Sequence, residues 1–421
     1  MRILLTLALA GLAASNLLAQ SASRRPAAGG GLPAGYWPEE KSSALLEKTG
    51  QVRLAPDTSH LTAGERRAVE KLIEVGKIFQ TVYEEQRHER ASESHAALVA
   101  LDRRLGSPRA TRNLLDVYRL FQGPIATTLE NKREPFAPVE LTTPGQAMYG
   151  GATKEEVEAF LNARPEKRDA ILDQRTAVRR ATAANLRRDL SMLRKHPALD
   201  TLHPGLRAEL EKLLARPDAK TLYAVPYSVA WADEMVRSHA LLNEAADAVA
   251  KDDGEFARFL RNRARDLLSD DYESGDAAWV TGHFKNLNAQ VGSYETYDDA
   301  LYGVKTFYSL VVLSNRGEET ERLRAAMKGL QALQDSLPYK FTRRVREEIS
   351  VGAYDVVADF GQSRGGNTAT ILPNEAYIGR RYGRTIMLRA NIMRSPEIFE
   401  GTNKAWEAAV APAHAAELTS D

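Results

Sequence analysis

Val351-Gly-Ala-Tyr-Asp-Val-Val-Ala-Asp-Phe360 and, after a glycine-rich turn, Thr368-Ala-Thr-Ile-Leu372 mark the place where the sequence stops reading as helix. β-branched and aromatic residues crowd both runs. Gly361-Gln-Ser-Arg-Gly365-Gly366 between them is explained by a turn with less than an anion cradle would need. Arg384-Thr-Ile-Met-Leu-Arg-Ala-Asn391 has the same character and reads as a third strand. Three strands this close together predict a small sheet packed against helices, an α+β fold that is predominantly helical with its β-structure near the C-terminus.

Upstream the apolar period is that of helices. Val69, Leu72, Ile73, Val75, Ile78, Phe79 and Val82 recur at three- and four-residue spacing, and Leu114, Leu115, Val117, Tyr118, Leu120 and Phe121 are expected as the next buried face after Ser107-Pro108. A Pro-, Gly- and Thr-rich loop follows over 123–153, and Thr153-Lys-Glu-Glu156 reads as a capping box. Helices are expected over 166–194, 205–216, 222–250 and 254–269, with prolines and Asp252-Asp253-Gly254 between them. One more is expected after Gly292, with Tyr297, Leu301, Val304, Phe307, Tyr308 and Val311 as its apolar stripe.

The first residues read as an export signal: Arg2, an apolar run from Ile3 to Leu18, and the small residue Ala19. Residues 1–19 are therefore expected to be removed, leaving a periplasmic or extracellular chain with no stable membrane insertion. A flexible leader is expected over 20–58, a mainly helical region over 59–345 and a β-containing region over 346–421. The chain has no cysteine, so disulfides, thiolate metal sites and a cysteine nucleophile are excluded. With 57 basic against 56 acidic side chains, no global charge draws it to nucleic acid or to an anionic membrane.

Among motifs that carry chemistry, none of the eight histidines stands in H-E-x-x-H or H-E-x-x-x-H. His88 and His95, if on one helix, are two turns or about 10 Å apart, too far to share a zinc ion, and a solvated helix surface accounts for them. His196 and His203 flank prolines, as exposed turns do. No nucleophile elbow, phosphate loop or dinucleotide fingerprint is present. Two segments stand out. Tyr294 is expected to lie outside the helix stripe and present its hydroxyl to a cleft, where a phenol can donate to a developing oxyanion. Gly366 to Asn374 is a strand ending in proline, hence an edge, whose free backbone groups can pair with an extended peptide.

Gly292-Ser-Tyr294 through Gly303 resembles the E-S-Y-x-D-P-x-G stretch of the dipeptidyl-peptidase III zinc peptidases and their bacterial relatives. Ile371-Leu-Pro-Asn374 resembles that family's G-I-P-A-G-x-N-I-P-N segment, and Tyr223-Ala-Val-Pro-Tyr-Ser-Val-Ala-Trp-Ala-Asp-Glu234 is similar to a stretch of its bacterial members. The resemblance covers about residues 220–410. It implies a two-lobed hydrolase with the peptide lying in the cleft as an added strand. Tyr294 then takes the place of the transition-state tyrosine, and Asn374, with Gly366, Thr368 and Thr370, holds the peptide. Gly292 stands where the family keeps the glutamate that grips the substrate's amino terminus, and Ile371 where it keeps a companion asparagine. The zinc helix of a full-length relative follows this region; here the chain stops at Asp421, so no metal ligand or cofactor is expected within it.

The expectation is thus a substrate-cleft part without the zinc motif and without zinc-dependent hydrolysis. Two alternatives are a secreted helical protein that binds peptides or acts as a scaffold without catalysis, and a hydrolase built on Glu295, Asp298 and Asp299. Acidic residues at a helix start usually answer the helix dipole, which weighs against the second.

Overall fold

The computed structural model describes residues 31–339, 344–365 and 367–409. The expected export signal, the first part of the expected leader and Gly366 lie outside them.

One long helix organises the rest. Before α2 (Ala63–Arg87), Thr62 accepts from Glu65 N at 3.0 Å and Glu65 Oε2 accepts from Thr62 N at 2.9 Å, so two N-terminal amides are satisfied at once. Its apolar stripe is buried as the period predicts, with Leu72, Val75, Phe79 and Val82 fully inside. Gly76 faces the Phe360 ring, where a Cβ would sit 2.2 Å from Cδ2, so a residue without a side chain lets the helix lie close on the sheet.

Part of the segment expected as a flexible leader, residues 36–46, is packed, whereas residues 47–60 are mostly exposed and form no helix or strand. Helix α1 (Glu39–Leu46) lies against α4 (Arg109–Phe121), which follows α3 (Ala91–Leu105). Trp37 and Leu45 share a core with Leu98, Leu114 and Phe136, and the Trp37 indole donates to Glu134 at 2.9 Å. The Pro, Gly and Ser content hid these few anchors, each burying a large apolar side chain.

Nine strands are described. Strands β1 (Ile125–Thr127) and β2 (Arg133–Pro135) form a short antiparallel ladder inside the expected loop. Strands β3 (Thr176–Ala181) and β4 (Asp218–Pro226) form a second. Both interrupt stretches expected to be helical throughout, 166–194 and 222–250, which otherwise carry the short helices Arg168–Ile171 and Tyr227–Ala230 and the longer helices Ala183–Lys195 and Ala232–Val249. Pairing with a partner 40 residues away outweighs local helix propensity here.

The third sheet has five strands in the order β5-β6-β7-β9-β8 and is curled: β5 (Leu287–Glu295), β6 (Phe307–Asn315), β7 (Ser350–Gly361), β8 (Ala369–Leu372) and β9 (Thr385–Arg389). The last three are the strands read from the sequence, and the fold is α+β and mainly helical as expected. The expected helix after Gly292 is instead the end of β5, a loop and β6. Every residue of β5 and β6 except the last of each is buried; β6 is a largely apolar run whose spacing, with the loop before it, fits a helix by coincidence, whereas β5 alternates Leu287, Ala289 and Val291 with Asn288, Gln290 and Gly292. The sheet consequently begins well before 346, and the expected boundary at 345/346 cuts through it. Strands β5, β6 and β7 pair antiparallel, β7 and β9 parallel, and β8 closes the far margin antiparallel to β9.

The loop between β5 and β6 is held by Asp299. Its carboxylate accepts from the backbone of Leu301, Tyr302, Val304 and Lys305 and from the Tyr149 hydroxyl, all within 3.2 Å. Among the described residues no helix is long and apolar enough to cross a membrane.

Candidate functional site

The two outer strands of the curled sheet meet at one point. Asn374 Nδ2, just past β8, donates to the Tyr294 carbonyl and to Glu295 Oε2, each at 3.1 Å, which ties the end of β8 to the end of β5. Beside this tie lies a cleft of about 250 Å³ bounded by α2, the β5–β6 loop, the β7–β8 turn and β8. Tyr83, Glu295, Asp298, Gln362, Asn367 and Thr370 are among its walls.

Strand β8 has one paired margin and one open one. The Arg389 amide donates to the Thr368 carbonyl at 2.8 Å, which makes this a hydrogen-bonded pair of the β8–β9 ladder. Antiparallel alternation then turns the backbone of Thr370 and Leu372 toward β9, and that of Ala369 and Ile371 toward the open side. The expected edge is therefore present, and Ile371 exposes 57% of its surface there. Thr368 is exposed, whereas Thr370 is buried against the cleft with its hydroxyl unpartnered.

Tyr294 is not where it was expected. The β5–β6 register passes from Ser293↔Tyr308 to Glu295↔Phe307, so Tyr294 is the extra residue of a bulge. The bulge turns its ring inward: 2% of Tyr294 is exposed, and its hydroxyl donates to Asp276 Oδ1 at 2.7 Å. Burial raises the phenol well above its ordinary range. Its proton is committed to a carboxylate and its ring is sealed, so in this arrangement it offers no hydrogen bond to a ligand in the cleft.

The group behind the cleft is a buried ionic cluster. Arg263 pairs with Asp276 and, at 3.3 Å, with Asp266, and all three are essentially inaccessible. The guanidinium groups of Arg175 and Arg263 lie 3.7 and 4.4 Å from the Tyr272 ring centre. Burial, partly offset by Arg263, pushes the Asp266 carboxyl up to about 6. Arg175 also donates to the Ser293 carbonyl at 3.3 Å and pairs with Glu375, bracing β5 against the segment after β8.

This packing decides what position 292 can carry. Gly292 has φ +135°, and a Cβ there would lie 2.6 Å from Cε2 of Tyr272. No side chain can extend from 292 into the cleft on this backbone. Glu295 and Asp298 do line it, whereas Asp299 is consumed by the loop and is turned away from hydrolytic use. Asp298 accepts from the Tyr83 hydroxyl at 2.9 Å and from Gln362 Nε2 at 2.8 Å, with Arg87 Nε at 3.7 Å.

Gln290 and Gln362 escaped the sequence reading. For Gln290 the available signal was the alternation of Leu287, Ala289 and Val291 with Asn288 and Gln290, and Gln362 lay in the segment read as a turn. The histidines follow the expectation only in part, since His95 is exposed on a helix but His88 is buried. His88 ends α2, buried, with Nε2 3.1 Å from the Glu140 carbonyl, while His95 lies on α3 against the Tyr118 ring. His203 Nε2 is 2.7 Å from Ser228 Oγ and 3.9 Å from Asp270. Among the described residues no three His, Asp or Glu side chains converge as metal ligands would, so the donor set of a zinc ion is not assembled there.

The fold is that of dipeptidyl-peptidase III. The structure of that enzyme from Caldithrix abyssi superposes with a TM-score of 0.66 at 21% identity, over 83% of this chain and 59% of the other. Dipeptidyl-peptidase III from Corallococcus sp. strain EGB gives 0.65 at 22%, over 85% and 59%. The chain thus spans less than two thirds of the length of these solved structures. Nudix hydrolase 3 of Arabidopsis thaliana is 27% identical over 185 residues, 42% of this chain and 23% of that protein. No family model matches the sequence.

Proposed function

We propose that this chain is the peptide-capturing part of a peptidase of the dipeptidyl-peptidase III kind, exported to the periplasm or the cell exterior, and that it receives an extended peptide as an added strand on β8. The observation that supports this most is the open margin of β8 facing a polar cleft. Ala369 and Ile371 each leave one amide and one carbonyl unpaired by β9, in the pattern an incoming strand completes. Backbone pairing gives affinity without regard to peptide sequence, and alternate side chains of the peptide would face the cleft or solvent. Asn374 acts here as the tie that fixes the distance between β8 and β5, and Thr370 as a wall of the cleft. These contacts capture a peptide; none of them breaks a bond.

Proline tests the backbone role separately from the side chain. I371P removes an amide on the open margin while leaving the β8–β9 ladder intact, and prolines are tolerated on edge strands. I371A keeps the amide and loses the side chain. Binding of a random pentapeptide pool with a C-terminal fluorophore, read by anisotropy, should be weaker in I371P than in I371A by about fivefold or more, the equivalent of one backbone hydrogen bond. Equal affinities for the two variants would put the peptide elsewhere.

A further inference from the structure

A second, smaller cavity shares Asp298 and Gln122 with the cleft. It measures about 20 Å³, room for roughly one particle the size of a water molecule. Its charged walls do not balance. Arg87 and Arg133 line it, and Asp298 is the one carboxylate among the lining residues. His88 also lines it and adds no countercharge, since burial lowers its pKa and keeps the ring neutral at pH 7. The cavity is therefore one negative charge short.

The two guanidinium groups are held in this position by groups that carry no charge. Arg87 donates to the Phe121 carbonyl, and Arg133 Nη1 donates to the Thr142 carbonyl at 2.7 Å. Asp298 is committed elsewhere: Oδ2 accepts from the Tyr83 hydroxyl at 2.9 Å and from Gln362 Nε2 at 2.8 Å. Arg87 Nε stands 3.7 Å from Oδ1, beyond hydrogen-bond length. Among the described residues nothing accepts from Nε or Nη2 of Arg133. Burial and the charge of Arg87 both lower the pKa of Arg133, and Asp298 offsets them only in part, as expected of two cations sharing one distant carboxylate. Arginine cannot relieve this by losing its proton near neutrality.

We propose that Arg87 and Arg133 together bind a single monatomic anion, chloride in ordinary solution, in this cavity. A water molecule fits the space and accepts hydrogen bonds but leaves the charge uncompensated. A halide does both, and its hydrogen bonds from guanidinium groups are of the stronger, charge-assisted kind. Sulfate, phosphate and carboxylate ligands bring the charge but exceed the volume. Arg87 exposes 28% of its side chain, so the ion enters from solvent. With the anion in place, Arg87 is neutralised without Asp298, whose carboxylate stays with Tyr83 and Gln362 in the wall of the cleft. The anion site does not depend on whether a peptide is captured on β8.

Bromide replaces chloride and scatters anomalously, so crystals of the unaltered protein grown in sodium bromide locate the ion directly. An anomalous peak between the Arg87 and Arg133 guanidinium groups is expected; its absence, with water alone in the cavity, overturns the site. In solution, the affinity read from chloride NMR line broadening should fall about tenfold or more in R133M, the equivalent of one hydrogen bond to a charged group. R119M, at an exposed arginine paired with Asp116, should leave it unchanged. No loss in R133M, or an equal loss in R119M, would mean general attraction to surface cations and would overturn the proposal. Sulfate at equal ionic strength should not displace chloride, and displacement would contradict a site of this size. R133K keeps the charge and should fall between R133M and the unaltered protein, while the bromide position decides without any variant.

Discussion

R263M destabilises the protein by about 3–5 kcal/mol at neutral pH, because it removes the only cation among the described residues that pairs with two buried carboxyl groups, those of Asp266 and Asp276. Methionine conserves much of the volume, so the loss is electrostatic rather than a cavity. The pH dependence identifies the cause. Burial holds Asp266 at about 6 in the folded state, above the ordinary carboxylate value. A folded value above the unfolded one stabilises fully below about pH 4 and loses that contribution as pH rises through about 6. Removing Arg263 withdraws the interaction that lowers Asp266, so in R263M the loss extends to higher pH. Urea unfolding of both proteins should therefore show the deficit largest at pH 7 and smaller at pH 5. A deficit that does not change over this interval would mean that the guanidinium acts through packing. Tyr294 belongs to the same cluster through Asp276, so R263M is also expected to loosen the bulge that leads into the cleft.

D299A unfolds at a lower urea concentration by an amount equivalent to about 3–5 kcal/mol, since four backbone amides and the Tyr149 hydroxyl lose one acceptor together. Each orphaned donor costs on the order of 1 kcal/mol or more, and relaxation of the loop recovers part of the sum. The same loop carries Asp298 and starts directly after Glu295, so peptide affinity should fall with stability. A change below about 1 kcal/mol would show that the loop keeps its shape without the carboxylate.

How far the sequence could be read follows from which interactions are local. Strands β7, β8 and β9 were legible because turn residues bracket short β-branched runs, and proline after Leu372 marked an edge. Helix α2 was legible from its apolar stripe. Strand β6 was not, because a strand buried on both faces loses its two-residue alternation and becomes indistinguishable in period from a buried helix; β5 was missed although Leu287, Ala289 and Val291 alternate with Asn288, Gln290 and Gly292. Tyr294 and Asn374 were both picked out, and the structure brings them together, but through the Tyr294 carbonyl rather than its hydroxyl. A one-residue bulge made that difference, and nothing in the local sequence announces it. The partners that seal Tyr294 come from the helices Gly254–Ser269 and Glu273–Thr281, a contact only the tertiary fold defines. Glu295 was noticed as a carboxylate, but its place beside Asn374 depends on two strand ends approaching across a curled sheet.

Edge capture is tested most directly by residue-resolved amide hydrogen exchange of β8 with and without a saturating unlabelled pool of random pentapeptides. The amides of Ala369 and Ile371 should slow by about tenfold or more, while those of Thr370 and Leu372, already turned to β9, should change little. Unchanged exchange at Ala369 and Ile371 with peptide demonstrably bound would contradict the account.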